Sequence, residues 1–141
     1  MTVGLLLITH NDIGSALLGT ASRMLGSCPL QARALAVTED SKPDWLRTRA
    51  QEMAEQIDTG EGVLVLTDMF GSTPANIANE LRTSSGLRVL AGVNLSMLVR
   101  VFNYPALPLT DMAAKAFSGG RDGVLMCPLP TIAQEVVQDD S

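Results

Sequence analysis

The sequence is poor in the residues that build metal centres and disulfide scaffolds. It has one histidine, His10, and two cysteines, Cys28 and Cys127, which are far apart and form no CxxC motif. A structural metal site needs several Cys or His ligands at short, regular spacings. We therefore expect no metal ion and no other cofactor, and we expect free thiols of the kind that persist in reducing compartments.

Clusters of positive charge and long apolar runs are also missing. Ten Lys and Arg stand against fifteen Asp and Glu, which gives a net charge of −5. A nucleic-acid partner requires a basic surface, so we expect none. No apolar run reaches the ~18 residues of a membrane helix, and the short run "VGLLLI" lacks the basic flank of a signal peptide. These absences predict a cytoplasmic protein without membrane insertion.

What remains is the composition of one compact domain, with 46% hydrophobic and 18% charged residues. We expect a single domain over residues 1–141, with a polar tail from 129 to 141. Strand-like runs alternate with segments of helical periodicity, and the fifth helix is expected to end at Gly119 and Gly120. The strand-like runs are 3–9, 32–37, 62–67, 87–93 and 123–129.

This alternation predicts an α/β fold, a three-layer sandwich around a mainly parallel sheet of order 2-1-3-4. Ligands of such sheets bind beyond the carboxyl ends of the strands. Polar segments follow the first and third strands there, "THND" (9–12) and "TDMFGSTPAN" (67–76). Neighbouring strands lie about 5 Å apart, so His10 and Asp68 are expected within hydrogen-bond reach. A carboxylate on one imidazole nitrogen orients the ring and leaves the other nitrogen as a nucleophile or base.

The segment "GSTPAN" (71–76) predicts a helix start that can bind an anion. Thr73 before Pro74 is typical of an N-cap followed by the first helical residue. Gly71 permits a positive φ, and the hydroxyls of Ser72 and Thr73 can donate hydrogen bonds. Beside a nucleophilic histidine this site favours a phosphoryl group. Because no Walker A or GxGxxG motif is present, the phosphoryl group is expected to arrive on another protein.

Purely structural roles and other kinds of site remain open for the same residues. His10 is also compatible with a strand-end histidine that has only a structural hydrogen bond, and residues 71–76 with a plain capped turn. A serine hydrolase is weakly supported because Ser72 lies in no GxSxG motif. A flavin or nucleotide site is possible on such a sheet, but the "THND" loop offers few phosphate donors.

Three stretches together resemble the mannose-type IIA component of the bacterial phosphoenolpyruvate:sugar phosphotransferase system. They are "GLLLITHNDIGSALLGTASRMLG", "VLVLTDMFGSTPANIA" and "LAGVNLSMLVR", and the resemblance extends from residue 2 to about 129. It implies a phosphotransferase in which His10 accepts a phosphoryl group on Nε2 from the phosphocarrier HPr. His10 would then pass the group to a IIB protein, expected here as a separate chain. Asp68 would pair with the imidazole.

The resemblance carries further expectations about structure and surface. It implies four parallel strands plus an antiparallel edge strand, residues 123–128, which can be exchanged within a homodimer. Gly71, Ser72 and Thr73 would bind the phosphoryl group, although Ser72 stands where many members have a second glycine, so either hydroxyl could make the contact. The rim that meets partner proteins is expected to contain Met24, Phe70, Asn94 and Met97.

Two other functions fit the same histidine chemistry. One is a regulatory interaction module that binds a partner in one phosphorylation state, as in incomplete phosphotransferase systems. The other is the phosphotransfer subunit of a dihydroxyacetone kinase. The sequence alone does not identify a sugar.

Overall fold

A computed structural model describes residues 1–130, in which strands and helices alternate along the chain. The elements are β1 (Gly4–His10), α1 (Ile13–Leu25), β2 (Ala32–Val37), α2 (Pro43–Ile57), β3 (Val63–Thr67), α3 (Thr73–Asn79), β4 (Leu87–Ala91), α4 (Leu95–Phe102) and α5 (Leu109–Asp122). In this part of the chain, no helix has both the length and the apolar character needed to cross a bilayer. Most of the expected polar tail, residues 131–141, lies outside the described residues.

The four strands form one parallel sheet in the order β2-β1-β3-β4, as the sequence predicts. In the register of β1, Leu7 lies opposite Ala34 of β2 and Leu66 of β3. The two central strands are buried along nearly their whole length because helices cover both faces of the sheet. The exception in β1 is its last residue, His10, which is half-buried at the carboxyl edge.

Two hydrophobic cores lie on opposite faces of the sheet, because alternate residues of a strand point to opposite sides. Even-numbered residues of β1 pack with α2 and α3, and odd-numbered ones pack with α1, α4 and α5. The first core contains Leu6, Ile8, Leu46, Met53, Val65 and Ile77, and the second contains Leu5, Leu7, Leu64, Leu98 and Met112. Each fully buried side chain of this size contributes roughly 1.5–3 kcal/mol, so β1 is held firmly from both faces.

The sequence predicts that the fifth helix ends at Gly119 and Gly120, and this prediction is wrong. The helix continues to Asp122. Both glycines are buried where α5 meets α4. A Cβ atom on Gly120 would lie 2.7 Å from Cε of Met97, and one on Gly119 would lie 2.8 Å from Cγ of Arg100. The glycines therefore permit close helix packing, which offsets their cost of about 1 kcal/mol each in a helix interior.

The antiparallel edge strand expected at 123–128 is not formed in the single chain. Residues 124–130 have no regular secondary structure, and Val124, Leu125 and Met126 are exposed. A strand needs a hydrogen-bonded neighbour, and an isolated extended segment has none. The extension of α5 to Asp122 leaves this segment outside the sheet within one copy of the chain.

Candidate functional site

The carboxyl ends of β1 and β3 bring His10 and Asp68 together, as their sequence positions predict. Nδ1 of His10 lies 2.8 Å from Oδ2 of Asp68. The backbone N–H of His10 donates to the same oxygen at 3.1 Å. The register of the two strands creates this pair: Ile8 lies opposite Thr67, the last residue of β3, so Asp68 follows β3 beside the end of β1.

The Asp68 carboxylate determines which imidazole nitrogen carries the proton. Burial raises the pKa of this carboxyl group, but hydrogen bonds from the ring and backbone of His10 lower it more, so its pKa lies below the usual value. Asp68 is therefore ionised at neutral pH and acts only as an acceptor. Its partner Nδ1 must then carry the proton, which leaves the lone pair of His10 on Nε2.

The imidazole opens onto a cleft of about 640 Å³ at the carboxyl edge of the sheet. The His10 side chain is 43% exposed, whereas that of Asp68 is only 15% exposed. Nε2 is thus the accessible nitrogen. No Lys or Arg lines the cleft, whose walls are His10, Asn11, Val37, Thr38, Glu39, Asp40, Ser41, Pro43, Leu46 and Thr73.

The β3–α3 connection brings one hydroxyl-bearing residue, Thr73, to the wall of this cleft. Gly71 has a φ of 80°, a conformation that favours glycine. The expectation that Thr73 is the N-cap is off by one residue, because α3 begins at Thr73 and Ser72 is the N-cap. The Ser72 hydroxyl does not cap the helix but donates to the carbonyl oxygen of Met69 at 2.6 Å. Thr73 is exposed and lines the cleft beside His10.

Of the four residues expected at the partner-facing rim, two are exposed and two are structural. Phe70 is 86% exposed and Met24 is 58% exposed. Met97 is 4% exposed, because the apolar stripe of α4 carries it into the core. Asn94 is the N-cap of α4: its Oδ1 accepts from the N–H of Met97 at 2.9 Å, and its Nδ2 donates to the Gly120 carbonyl at 3.2 Å.

Two further residues shape the β1–α1 connection and were not singled out from the sequence. Thr9 is buried, and its hydroxyl accepts the N–H of Gly14 at 2.7 Å, a first-turn donor of α1. Asn11 lies in the cleft with a φ of 49°, the only positive φ of a non-glycine residue in the described part of the chain. The signal for Asn11 is its position in a tight strand-to-helix turn, where Asn tolerates the left-handed conformation.

Among residues 1–130, no cluster of His, Cys, Asp and Glu is arranged to hold a metal ion.

Comparison with protein families accounts for this geometry. A family model described as "PTS system fructose IIA component" matches residues 4–116, which include every element from β1 to most of α5. The chain belongs to the mannose-type IIA family of the phosphotransferase system. Both His10 and Asp68 fall inside the matched region.

Two curated relatives of this IIA domain are longer proteins with different kinds of name. The chain is 30% identical over 140 residues to the "PTS system mannose-specific EIIAB component" of Escherichia coli K12, a match that covers 88% of this chain and 39% of that protein. It is 34% identical over 111 residues to the "Transcriptional regulatory protein LevR" of Bacillus subtilis, which covers 76% of this chain and 12% of that protein. The chain therefore spans well under half of the length of either relative.

Solved structures share the fold at lower identity. The mannose/sorbose-specific IIA subunit from Enterococcus faecalis aligns with a TM-score of 0.77 at 24% identity, over 92% of this chain and 98% of that one. A sigma-54 interaction domain protein from the same organism aligns with a TM-score of 0.73 at 16% identity, over 86% of this chain and 92% of that one. At these identities the likeness establishes the α/β fold of the IIA domain.

Proposed function

We propose that this IIA domain is a cytoplasmic phosphocarrier of the sugar phosphotransferase system. It accepts a phosphoryl group from phospho-HPr on Nε2 of His10 and passes it to a IIB protein. The observation that carries the proposal is the 2.8 Å pairing of His10 Nδ1 with the Asp68 carboxylate, which leaves the Nε2 lone pair facing an open cleft. The family membership supports it independently of this geometry.

The bonds that form and break in this step involve only Nε2 of His10 and the phosphoryl donor. The Nε2 lone pair forms a bond to phosphorus, while the bond from phosphorus to the donor's leaving atom breaks and its electron pair returns to the donor. The imidazole keeps its proton on Nδ1 and gains positive charge, which the adjacent Asp68 carboxylate stabilises. Transfer to the IIB protein reverses the same events, so the phosphohistidine is an intermediate.

We further propose that Thr73, rather than Ser72, contacts the phosphoryl oxygens. Phosphoryl transfer requires hydrogen-bond donors for the equatorial oxygens of the transferred group. Thr73 lines the cleft with His10, whereas the Ser72 hydroxyl is already bonded to the Met69 carbonyl. Gly71 holds the loop in a positive-φ turn two residues before Thr73.

The proposal includes two protein contacts. Phe70 and Met24 are large apolar side chains left in solvent, and we assign them to the rim that meets HPr and the IIB protein.

Residues 123–128 form the second contact, as a strand that two copies exchange in a homodimer. The exposure of Val124, Leu125 and Met126 in the single chain supports this exchange. A sedimentation measurement that finds only monomer at micromolar concentration would remove the dimer from the proposal.

A regulatory module is the second candidate function. It is favoured by the 34% identity to the B. subtilis protein named as a transcriptional regulator. In this case His10 is phosphorylated in the same way, but the output is the binding of a partner protein in one phosphorylation state. The two candidates share the first transfer and differ in the second.

Phosphoryl transfer in vitro tests both candidates. The chain is incubated with labelled phosphoenolpyruvate, enzyme I and HPr, beside a His10→Ala variant. We expect acid-labile label on the wild-type chain and none on the variant. Loss of that label upon addition of a IIB protein supports the carrier, and retention in the presence of several IIB proteins favours the regulatory module. No label on a folded chain, with HPr itself labelled, would refute both.

A further inference from the structure

We propose that Asn11 is a further catalytic residue of the site, whose side-chain amide donates a hydrogen bond to the phosphoryl group carried by His10. This inference rests on the proposed function and adds a contact beyond His10, Asp68 and residues 71–73. It begins from an unusual backbone conformation and from the composition of the cleft.

The backbone at Asn11 is in the left-handed region, with a φ of 49°. The other residues of the described chain with positive φ are all glycines. The turn requires this conformation, since the N–H of Asn11 donates to the Val37 carbonyl at 2.9 Å and α1 begins two residues later. Glycine meets such a requirement with the least strain. Asn is one of the non-glycine residues that adopt this conformation most readily, and here it places a side-chain amide next to the nucleophile in the chain.

The cleft offers few donors for an anion. Its walls include the carboxylates of Glu39 and Asp40 but no Lys or Arg. The hydroxyls of Thr38 and Ser41 lie 3.1 Å apart and bond to each other, and the Ser41 hydroxyl also accepts the Thr38 N–H at 3.0 Å. One of these two hydroxyls donates to the other, so the pair keeps only one O–H hydrogen that is not already used within its own turn.

Apart from the imidazole, the cleft-lining donors whose side chains make no hydrogen bond within the described residues are Asn11 and Thr73. The phosphoryl group has three equatorial oxygens, and a neutral amide can donate to one of them without changing its own protonation. During transfer the Nε2–phosphorus bond forms, and the donor–phosphorus bond breaks so that its electron pair returns to the donor. The Asn11 amide keeps both of its hydrogens. Asn11 and Thr73 approach this group from the β1–α1 turn and the β3–α3 loop, respectively.

Two substitutions at Asn11 separate its side chain from its backbone role. Asn11→Gly removes the amide and relaxes the backbone, so the thermal midpoint should stay the same or rise. Asn11→Asp keeps the shape and replaces the donor with a negative charge. Asn103→Gly, at the C-cap of α4 and outside the cleft, is the matched control.

The rate of phosphorylation is measured with phosphoramidate and, separately, with phospho-HPr. Phosphoramidate transfers its phosphoryl group by cleavage of its own N–P bond, and the departing nitrogen leaves as ammonia. Because it is a small molecule, it reports on the site without protein docking. We expect Asn11→Gly to react roughly tenfold more slowly with both donors, the loss of one hydrogen bond to a charged group. Asn11→Asp should react more slowly still, and Asn103→Gly should react at the wild-type rate.

The imidazole is monitored in the same samples by 15N NMR. An unchanged proton on Nδ1 in the Asn11 variants, together with slower transfer, supports direct contact with the phosphoryl group. Wild-type rates in Asn11→Gly or Asn11→Asp, with label still on His10, would overturn the Asn11 contact alone. No label on the wild-type chain with either donor would overturn the proposed function and the contact together.

Discussion

Replacement of Asp68 by Asn gives the sharpest test of the His10 site. The variant preserves the size of the side chain but removes the negative charge that lies 2.8 Å from Nδ1. It also removes the constraint on the tautomer, because an amide can either donate to or accept from the ring. We expect the fold to persist, since the sheet and both cores do not include Asp68.

The size of the effect follows from the geometry of the pair. Two unit charges at this separation interact by about 3 kcal/mol at an effective dielectric constant of about 40, which suits a pair that is partly exposed. If the ring gained a full positive charge in the transition state, transfer would slow on the order of 100-fold. A loose transition state develops only part of that charge, so we expect a slowing between about tenfold and 100-fold.

Single-turnover transfer from labelled phospho-HPr measures this rate. Asp111→Asn is the control. Asp111 lies in the first turn of α5, and the start of α5 packs beside Gly62, just before β3. This is the end of the sheet opposite to His10. The control should transfer at the wild-type rate. A change of less than twofold in Asp68→Asn, with wild-type thermal stability, would refute the assignment of Asp68 to the mechanism.

Acid unfolding provides a second measurement on the same variant. The folded-state pKa of Asp68 lies below the ordinary value of 3.8. Its contribution to stability is therefore fully present above 3.8 and is lost as the pH falls through the folded-state pKa. On acidification through this range, the wild-type chain should lose more free energy of unfolding than Asp68→Asn. Equal losses in urea titrations would contradict the lowered pKa.

Three other substitutions test the packing and the loop. Gly120→Ala should destabilise the chain by about 1–3 kcal/mol because the new methyl group meets Met97, and an unchanged urea midpoint would contradict the close packing of α4 and α5. Thr73→Val should slow phosphoryl transfer roughly tenfold, whereas Ser72→Ala should have little effect; the reverse order would reassign the contact. Thr9→Val should lower the free energy of unfolding by about 1–2 kcal/mol, because it leaves a buried α1 N–H without its acceptor. Calorimetry at equal protein concentration measures this loss, and a loss well below about 1 kcal/mol would contradict the role of the Thr9 hydroxyl.

The sheet and the central pair were predictable because their signals are strong and local. Nearly continuous apolar runs such as 3–9 and 62–67 are typical of strands covered on both faces, and the alternation with helices constrains their order. Strand order then decides which loops meet at the carboxyl edge. The proximity of His10 to Asp68 thus followed from topology alone.

The errors arose where tertiary contacts outweigh local preference. Gly119 and Gly120 have the propensity of a helix end, but their lack of a side chain is what lets α4 approach α5. Met97 is apolar and follows shortly after the carboxyl end of β4, yet the turn of α4 after Asn94 directs it into the core. The exchanged strand expected at 123–128 stays a prediction, because its hydrogen-bonded neighbour would belong to a second copy of the chain.

Because His10 is the only imidazole in the chain, it also serves as a built-in spectroscopic label. Incorporation of 15N-histidine yields a single pair of ring nitrogens, so every signal is assigned without mutagenesis. The Asp68 hydrogen bond makes the two nitrogens inequivalent, with a protonated Nδ1 and an unprotonated Nε2. Attachment of a group to Nε2 would alter that nitrogen most directly. The occupancy of the site can therefore be followed in real time, in mixtures with unlabelled partner proteins.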